Sequence, residues 1–242
     1  MARSEIREER LSAALRSTPM FRGLSPPELA RLQAIAALRD YERGETIWTA
    51  GDPAEAFTLI VRGRVKIVRH GKGGDVILEI FDVGEPVGAI AVYDGIPYPA
   101  SAIAIEAVTL IRIPRTEYFH LLDRHPQFAR AVMRELTRLS IALTRKLGDM
   151  RGQKVDLRIA RLFLTLASRM GRPAGAGVDI PIQLTRQEVA ELVGTTVESA
   201  IRVLSRWGRE ELVITRESSF LIPSLERLKA VAEAGEWGPA EP

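Results

Sequence analysis

The segment from Thr185 to Arg209 restricts the fold more than any other stretch of this chain. Thr185-Arg186-Gln187-Glu188 places a hydroxyl at a helix start and a carboxylate three residues on, the reciprocal arrangement of a capping box. The helix it opens carries Val189, Leu192 and Val193, then meets Gly194. Glycine tolerates the positive φ that a tight turn after a helix needs. Thr195-Thr196-Val197-Glu198 offers a second capping box immediately afterwards. Two capped helices joined by a glycine turn make a helix-turn-helix.

The second helix advances about 100° per residue. Ala200, Val203, Leu204 and Trp207 share one side, the side expected to face a core. Glu198, Arg202, Ser205 and Arg209 gather opposite. Such a polar stripe suits a helix laid in the major groove of duplex DNA. There an arginine donates two hydrogen bonds to guanine O6 and N7, and a glutamate accepts from cytosine N4. Arg186, Arg206 and Arg209, with the polar side chains of Thr185, Gln187, Thr196, Ser199 and Ser205, suit phosphate contacts, which position a protein without reading sequence. A plainer reading stands beside this one. Glu198 and Arg202 are four apart and would also make a surface ion pair, or Glu198 would serve only as a cap.

Upstream the texture differs. A helical signal runs from about Ser4 to Ser17, and Ser25-Pro26-Pro27-Glu28 starts another with Leu29, Leu32 and Ile35 on its apolar face. From about Asp40 to Pro114, short apolar or alternating runs such as Phe57–Val61, Val65–Val68 and Val76–Ile80 are separated by glycines. That pattern suggests a small barrel or jelly roll. A long helical stretch follows from Arg115 to Met150, with a break expected near His125-Pro126. Val132, Leu136, Leu139, Leu143, Leu147 and Met150 have the spacing of a coiled-coil seam, so pairing with a second copy is expected; packing on the chain's own barrel would use the same residues, and one helix can do both at once.

Gly148–Val155, with Gly152, reads as a hinge, Leu157–Met170 as an amphipathic helix and Gly171–Gly177 as a flexible loop. Leu212–Thr215 and Phe220–Ile222 read as a β-hairpin wing, Ser224–Glu233 as a short closing helix, and Gly235–Pro242 as a disordered tail. The expected fold is α+β: a β-roll with N-terminal helices over 1–114, a dimerisation helix and hinge over 115–152, and a winged helix-turn-helix over 153–242.

The run from Leu184 to Gly194, then Glu198 and Arg202, then Leu204-Ser205-Arg206, closely resembles the helix-turn-helix of the cyclic-AMP-receptor/fumarate-nitrate-regulator (CRP/FNR) family. Pro19–Ser25, Arg43-Gly44-Glu45, Gly51–Ala54 and Val61–Val65 resemble that family's roll domain, a cyclic-nucleotide-binding-like jelly roll. The resemblance spans nearly the whole chain. It implies a homodimeric transcription regulator that binds double-stranded DNA at an inverted repeat, with RNA polymerase as a partner if it activates. The family's two main base-reading positions fall on Glu198 and Arg202, which implies half-sites with a G·C-containing core. A third variable position falls on Val197, and Ile201 stands where the fumarate-nitrate branch commonly has serine, which makes both candidates for base reading, with helix packing as the plainer role.

Members that bind cyclic AMP carry a Gly-Glu pair for the ribose and, about ten residues later, an Arg-Ser pair for the phosphate. A carboxylate accepts from hydroxyls and a guanidinium clamps a phosphate. Here the stretches are Gly88-Ala89-Ile90 and Tyr98-Pro99, so those groups are missing. Ordinary cyclic-AMP binding is not expected. Ala89, Ile90, Tyr98, Leu143 and Thr144 would line a more apolar pocket, holding a different small molecule or simply filled. Haem is a lesser option, since the only histidines are His70, His120 and His125.

Composition narrows the rest. The absence of cysteine excludes disulfides, thiolate-held iron–sulfur clusters and cysteine zinc sites; no metal site is expected. There is no nucleophile–base set and no nucleotide fingerprint, so no enzyme is expected. No apolar run approaches the ~18 residues of a membrane span, and Met1–Arg10 is too charged for a signal peptide, so a cytoplasmic location is the expectation. The net charge of +3 agrees with a polyanionic partner without demanding one.

Overall fold

The glycine-punctuated runs upstream of Pro114 fold into short antiparallel strands: β1 (Ala37–Tyr41), β2 (Thr46–Trp48), β3 (Ala56–Arg62), β4 (Val65–Arg69), β5 (Val76–Phe81), β6 (Pro86–Val87), β7 (Ser101–Ala104) and β8 (Val108–Pro114). The computed structural model describes residues 2–71, 74–149 and 154–233, and the side chains within them apart from 2–7 and 145–149. Among the described residues these strands form two four-stranded sheets, ordered β1-β8-β3-β6 and β2-β7-β4-β5. β3 is buried along Ala56–Ile60 because both its faces are covered, which is why its sequence is an apolar run broken only by Thr58 rather than an alternating one.

Helices cover the outer face of the first sheet. Before β1 lie α1 (Ala2–Ser17) and α2 (Pro26–Ile35), and after β8 come α4 (Arg115–Arg124) and α5 (Pro126–Asp149); a six-residue α3 (Ala89–Asp94) follows β6. The capping box at α2 forms as expected: the Ser25 backbone N–H and hydroxyl both donate to the Glu28 carboxylate, at 2.7 and 2.6 Å. The break between α4 and α5 falls at Pro126, which lacks the N–H to continue the first helix but suits the opening of the next. Phe57 of β3 stacks on Tyr118 of α4 with ring centroids 4.7 Å apart and meets Phe128 of α5 edge-on at 5.6 Å.

The residues of the expected dimer seam pack in part on the chain's own roll. Val132 is only 3% exposed and sits inside the core of the roll, with Leu136 and Leu139 packed against that core. The sheet's apolar face has to be covered, and a helix does so with residues three and four apart, the spacing that also makes a coiled-coil seam. Leu143 is exposed, while the Leu147 side chain and Met150 lie outside the described residues. The exposed side of α5 carries Met133, 63% exposed, and Ile141, 48% exposed, together with Thr137, Ser140 and Thr144. Arg138 ties α5 to the turn before β6 through an ion pair with Glu85 at 3.0 Å. Residues 1–143 form one compact unit and 144–242 a second.

The second unit runs α6 (Val155–Met170), β9 (Arg172–Ala174), β10 (Gly177–Ile180), α7 (Arg186–Val193), α8 (Val197–Arg209), β11 (Ile214–Thr215), β12 (Phe220–Ile222) and α9 (Leu225–Glu233). The hairpin wing is present as β11–β12, and it extends into a sheet ordered β11-β12-β10-β9. The expected loop at Gly171–Gly177 is instead largely the β9 strand and its turn into β10. Pro173 fits there because β9 is an edge strand, where a missing N–H costs no ladder bond. Phe163 of α6 packs edge-on against Phe220 of β12 at 4.9 Å, and Trp207 of α8 is buried as well. The hinge glycine Gly152 and the Gly235–Pro242 tail lie outside the described residues.

Candidate nucleic-acid interface

Local hydrogen bonds fix both ends of α7. The Thr185 hydroxyl accepts from the Glu188 N–H at 3.1 Å, and the Glu188 carboxylate accepts from the Thr185 N–H at 2.8 Å. At the other end Gly194 adopts φ 65°, ψ 53°, the left-handed turn that stops the helix. Arg158, on α6, reaches that end: its Nη1 donates to the carbonyls of Val193 at 2.6 Å and Gly194 at 2.8 Å. A cation there also complements the negative pole of the helix.

α8 starts two residues after the turn. Thr196 is its cap, its hydroxyl accepting from the Ser199 N–H at 3.3 Å. The residue three after the cap is therefore Ser199, so the second capping box is not reciprocal as expected. Glu198 stands one position earlier. Its carboxyl is held below the ordinary value by its own backbone N–H and then by the Thr196 hydroxyl. At the far end Arg227 of α9 donates to the Glu210 carbonyl at 2.9 Å. Arg206 pairs with Asp156 of α6.

The outward face carries what the helical wheel placed there. Glu198, Arg202, Ser205 and Arg209 are exposed, as is Ile201, and Val197 is half-buried. Among the described residues no ion pair joins Glu198 to Arg202, so the mutual pairing their spacing allows does not occur and the guanidinium of Arg202 points free. Several expected phosphate contacts have partners within the fold. Arg186 donates to the Thr215 hydroxyl at 2.8 Å, and burial pulls its pKa below the usual arginine value. Gln187 donates to Glu191 at 2.7 Å, and Thr185, Thr196 and Arg206 are engaged as above. Arg158 and Arg227 were not singled out from sequence. Their carbonyl partners lie 35 and 17 residues away, and no local pattern links such positions.

The expected effector residues are only partly brought together. Gly88, at φ 72°, opens α3, and Ala89 and Tyr98 are buried. Tyr98 stacks on Trp48 with centroids 4.1 Å apart and planes 14° apart. A Cβ on Gly88 would lie 2.6 Å from the Tyr98 ring and 3.2 Å from Trp48, so the two rings pack directly on this backbone. Burial raises the Tyr98 hydroxyl pKa. Ile90 and Pro99 are exposed, and Leu143 and Thr144 are exposed on α5. His70 pairs with Asp75 at 2.8 Å and His125 with Glu28 at 3.2 Å. Among the described residues no cluster of three or more His, Cys, Asp or Glu could hold a metal ion, and no helix is long and apolar enough to cross a membrane.

Comparison with known proteins agrees with this layout. A cyclic nucleotide-binding domain matches residues 38–125, and a Crp-like helix-turn-helix domain matches 157–231. The chain is 28% identical over 210 residues to a CRP-like cAMP-activated global transcriptional regulator of Mycobacterium tuberculosis, covering 86% of this chain and 94% of that protein. It is 28% identical over 200 residues to the cyclic AMP receptor protein of Thermus thermophilus, covering 82% and 89%. Among solved structures, FixK2 from Bradyrhizobium japonicum superposes with a TM-score of 0.71 at 18% identity, covering 81% of this chain and 97% of that one.

Proposed function

Because this chain belongs to the CRP/FNR family of transcription regulators, we propose that it is a homodimer that reads an inverted-repeat DNA site with Glu198 and Arg202 of α8. One observation carries the reading: a carboxylate and a guanidinium without an ion-pair partner among the described residues stand exposed on one stripe of a helix capped by Thr196 at its start and held by Arg227 of α9 at its end. Arg202 supplies the fork for guanine and Glu198 the acceptor for cytosine. Arg209 and Ser205 contact phosphates directly, and Ser199 does so beside its bond from the Thr196 hydroxyl. Thr185, Arg186, Gln187, Thr196 and Arg206 do so to the extent that they exchange their internal partners for phosphate oxygens.

The free face of α5, with Met133 and Ile141, joins two copies, and half-sites lie about one helical turn apart. Residues 115–152 thus link the roll of 1–114 to the DNA-binding unit of 153–242. The protein acts in the cytoplasm, carries no catalytic role and meets RNA polymerase where it activates. Selection of duplexes from a random library tests the assignment. Wild-type protein enriches an inverted repeat with a G·C core, and Arg202→Ala loses that preference by about 1–3 kcal/mol per half-site while keeping non-specific affinity. Equal enrichment by both proteins would refute it.

Cyclic AMP is not the effector. The residues present do not fit it: Ala89 stands where the ribose carboxylate would be, neither Tyr98 nor Pro99 carries the guanidinium of the phosphate clamp, and Tyr98 is stacked against Trp48. The regulator responds to another small molecule or is always DNA-competent. Titration with cyclic AMP at fixed salt is expected to leave DNA affinity unchanged; a several-fold shift would overturn this part of the reading.

A further inference from the structure

We infer that Asp156 is an internal stand-in for a DNA phosphate: it occupies the guanidinium of Arg206 and so sets how tightly duplex of any sequence is held. This rests on the assignment of α8 as the DNA-facing helix, and it says which of that helix's flanking cations is withheld from the backbone. At about 100° per residue, Arg206 lies about 40° around α8 from Arg202, about 60° from Arg209 and about 20° from Ser199. It borders the outward stripe on the flank of Ser199, where a phosphate contact is proposed.

An arginine in such a place is suited to a phosphate, which its planar fork matches. Arg202 and Arg209 are exposed, and among the described residues neither has an ion pair. Arg206 differs. It pairs with Asp156 in the first turn of α6, and its Nε lies 4.0 Å from Oε1 of Glu210, one turn further along α8. Two carboxylates against one cation give this corner a net negative charge, so an incoming phosphate meets repulsion instead of a free fork. α6 packs on α8, which puts Asp156 in place before DNA arrives. A phosphate then gains Arg206 only by exchange for a carboxylate, and the neutralised guanidinium adds nothing to the counterions released on binding. The two side chains are 44% and 33% exposed, and a surface pair of this kind adds little to stability. Its consequence therefore lies in binding rather than in folding.

Salt dependence reads this directly, because each phosphate neutralised by a protein cation adds about 0.9 to the slope of log affinity against log salt. The full chain is titrated over a salt series with two duplexes, one selected from a random library and one without the selected site. Asp156→Asn keeps the shape of the side chain and removes its charge; Asp156→Ser, another residue suited to a helix start, is the second variant. Each frees one guanidinium per protomer, so for a dimer the slope is expected to steepen by about 1.8. Affinity at low salt is expected to rise several-fold on both duplexes, with the ratio between them unchanged. Adding Arg206→Gln to Asp156→Asn restores the wild-type net charge and is expected to restore the wild-type slope. Two results overturn the inference: an unchanged slope in either Asp156 variant, or a steeper slope that persists once Arg206→Gln is added, since the carboxylate would then act only by repelling the backbone. In both cases the wild-type preference for the selected duplex still stands, so the reading of α8 survives. If wild-type protein binds neither duplex, the assignment of α8 fails, and the inference with it.

Discussion

Arg158 anchors the turn of the helix-turn-helix from outside it, and replacing it by methionine isolates that role. Methionine keeps an apolar stem along α6 while removing the guanidinium. Two hydrogen bonds disappear, at 2.6 and 2.8 Å, to the carbonyls of Val193 and Gly194. A bond to a charged group contributes about 1.5–3 kcal/mol net. Gly194 is exposed, so water replaces part of what is lost there, and the total falls near the low end, about 2–3 kcal/mol. Hydrogen exchange resolved by peptide measures it where it acts. The amides of α7 and α8 should exchange roughly 30- to 150-fold faster, while those of β3 and β8 in the roll keep their protection. Because Thr196, the cap of α8, follows this turn directly, specific DNA affinity should fall with it. Arg158→Lys, which can still reach one carbonyl, should lie between. Unchanged exchange over 185–209, or equal acceleration in both units, would show that the turn holds without this contact.

Other perturbations separate the remaining assignments. Gly88→Ala forces a Cβ to 2.6 Å from the Tyr98 ring at φ 72°, so the roll should lose about 2 kcal/mol in a denaturation experiment; a neutral effect would mean that the Trp48–Tyr98 stack yields easily. Val132→Ala should destabilise the roll by about 2 kcal/mol with little effect on self-association, whereas Met133→Glu should weaken the dimer in sedimentation and leave the roll's melting unchanged. The reverse outcome would place the dimer contact on the seam read from sequence. Hydrogen bonds from Arg10, then from Thr109, lower the Asp40 pKa. A carboxylate whose pKa is depressed by folding adds stability above its unfolded value of about 3.9 and loses it as the pH falls through the folded value. Asp40→Asn should therefore flatten the acid limb of a pH–stability curve below about pH 4, and an unchanged limb would show that solvent screens this exposed site completely.

What was legible in the sequence was local. The caps at Ser25 and Thr185, the stop at Gly194 and the break at Pro126 each depend on residues within four positions of one another, and all occur. The polar stripe of α8 was legible for the same reason, since 3.6 residues per turn turns spacing into direction. The second capping box failed by a single position: Thr196, rather than Thr195, took the cap, and that put Ser199 where a glutamate was expected. β9 was missed because three residues containing a proline carry no strand pattern until a neighbour pairs with them.

α5 shows a deeper limit. The spacing of Val132, Leu136 and Leu139 states that one face is apolar but not what covers it, and a sheet of the same chain selects the same residues as a partner helix. The face left over mixes Met133 and Ile141 with Thr137, Ser140 and Thr144, so its apolar content is diluted below what periodicity detects. Contacts distant in sequence were invisible altogether. Trp48 meets Tyr98 across 50 positions, and Arg158, Arg227 and Asp156 reach the recognition motif from helices on either side of it. Each of these last contacts serves the helix-turn-helix, and two of them satisfy carbonyls at helix ends, where four acceptors lack partners within the helix. The stripe proposed to read DNA is thus written in α8, but the helix that presents it is held by side chains of α6 and α9. Substitutions at Arg158 or Arg227 should therefore change affinity for every sequence alike, whereas those at Glu198, Ile201 and Arg202 should change which sequence is preferred.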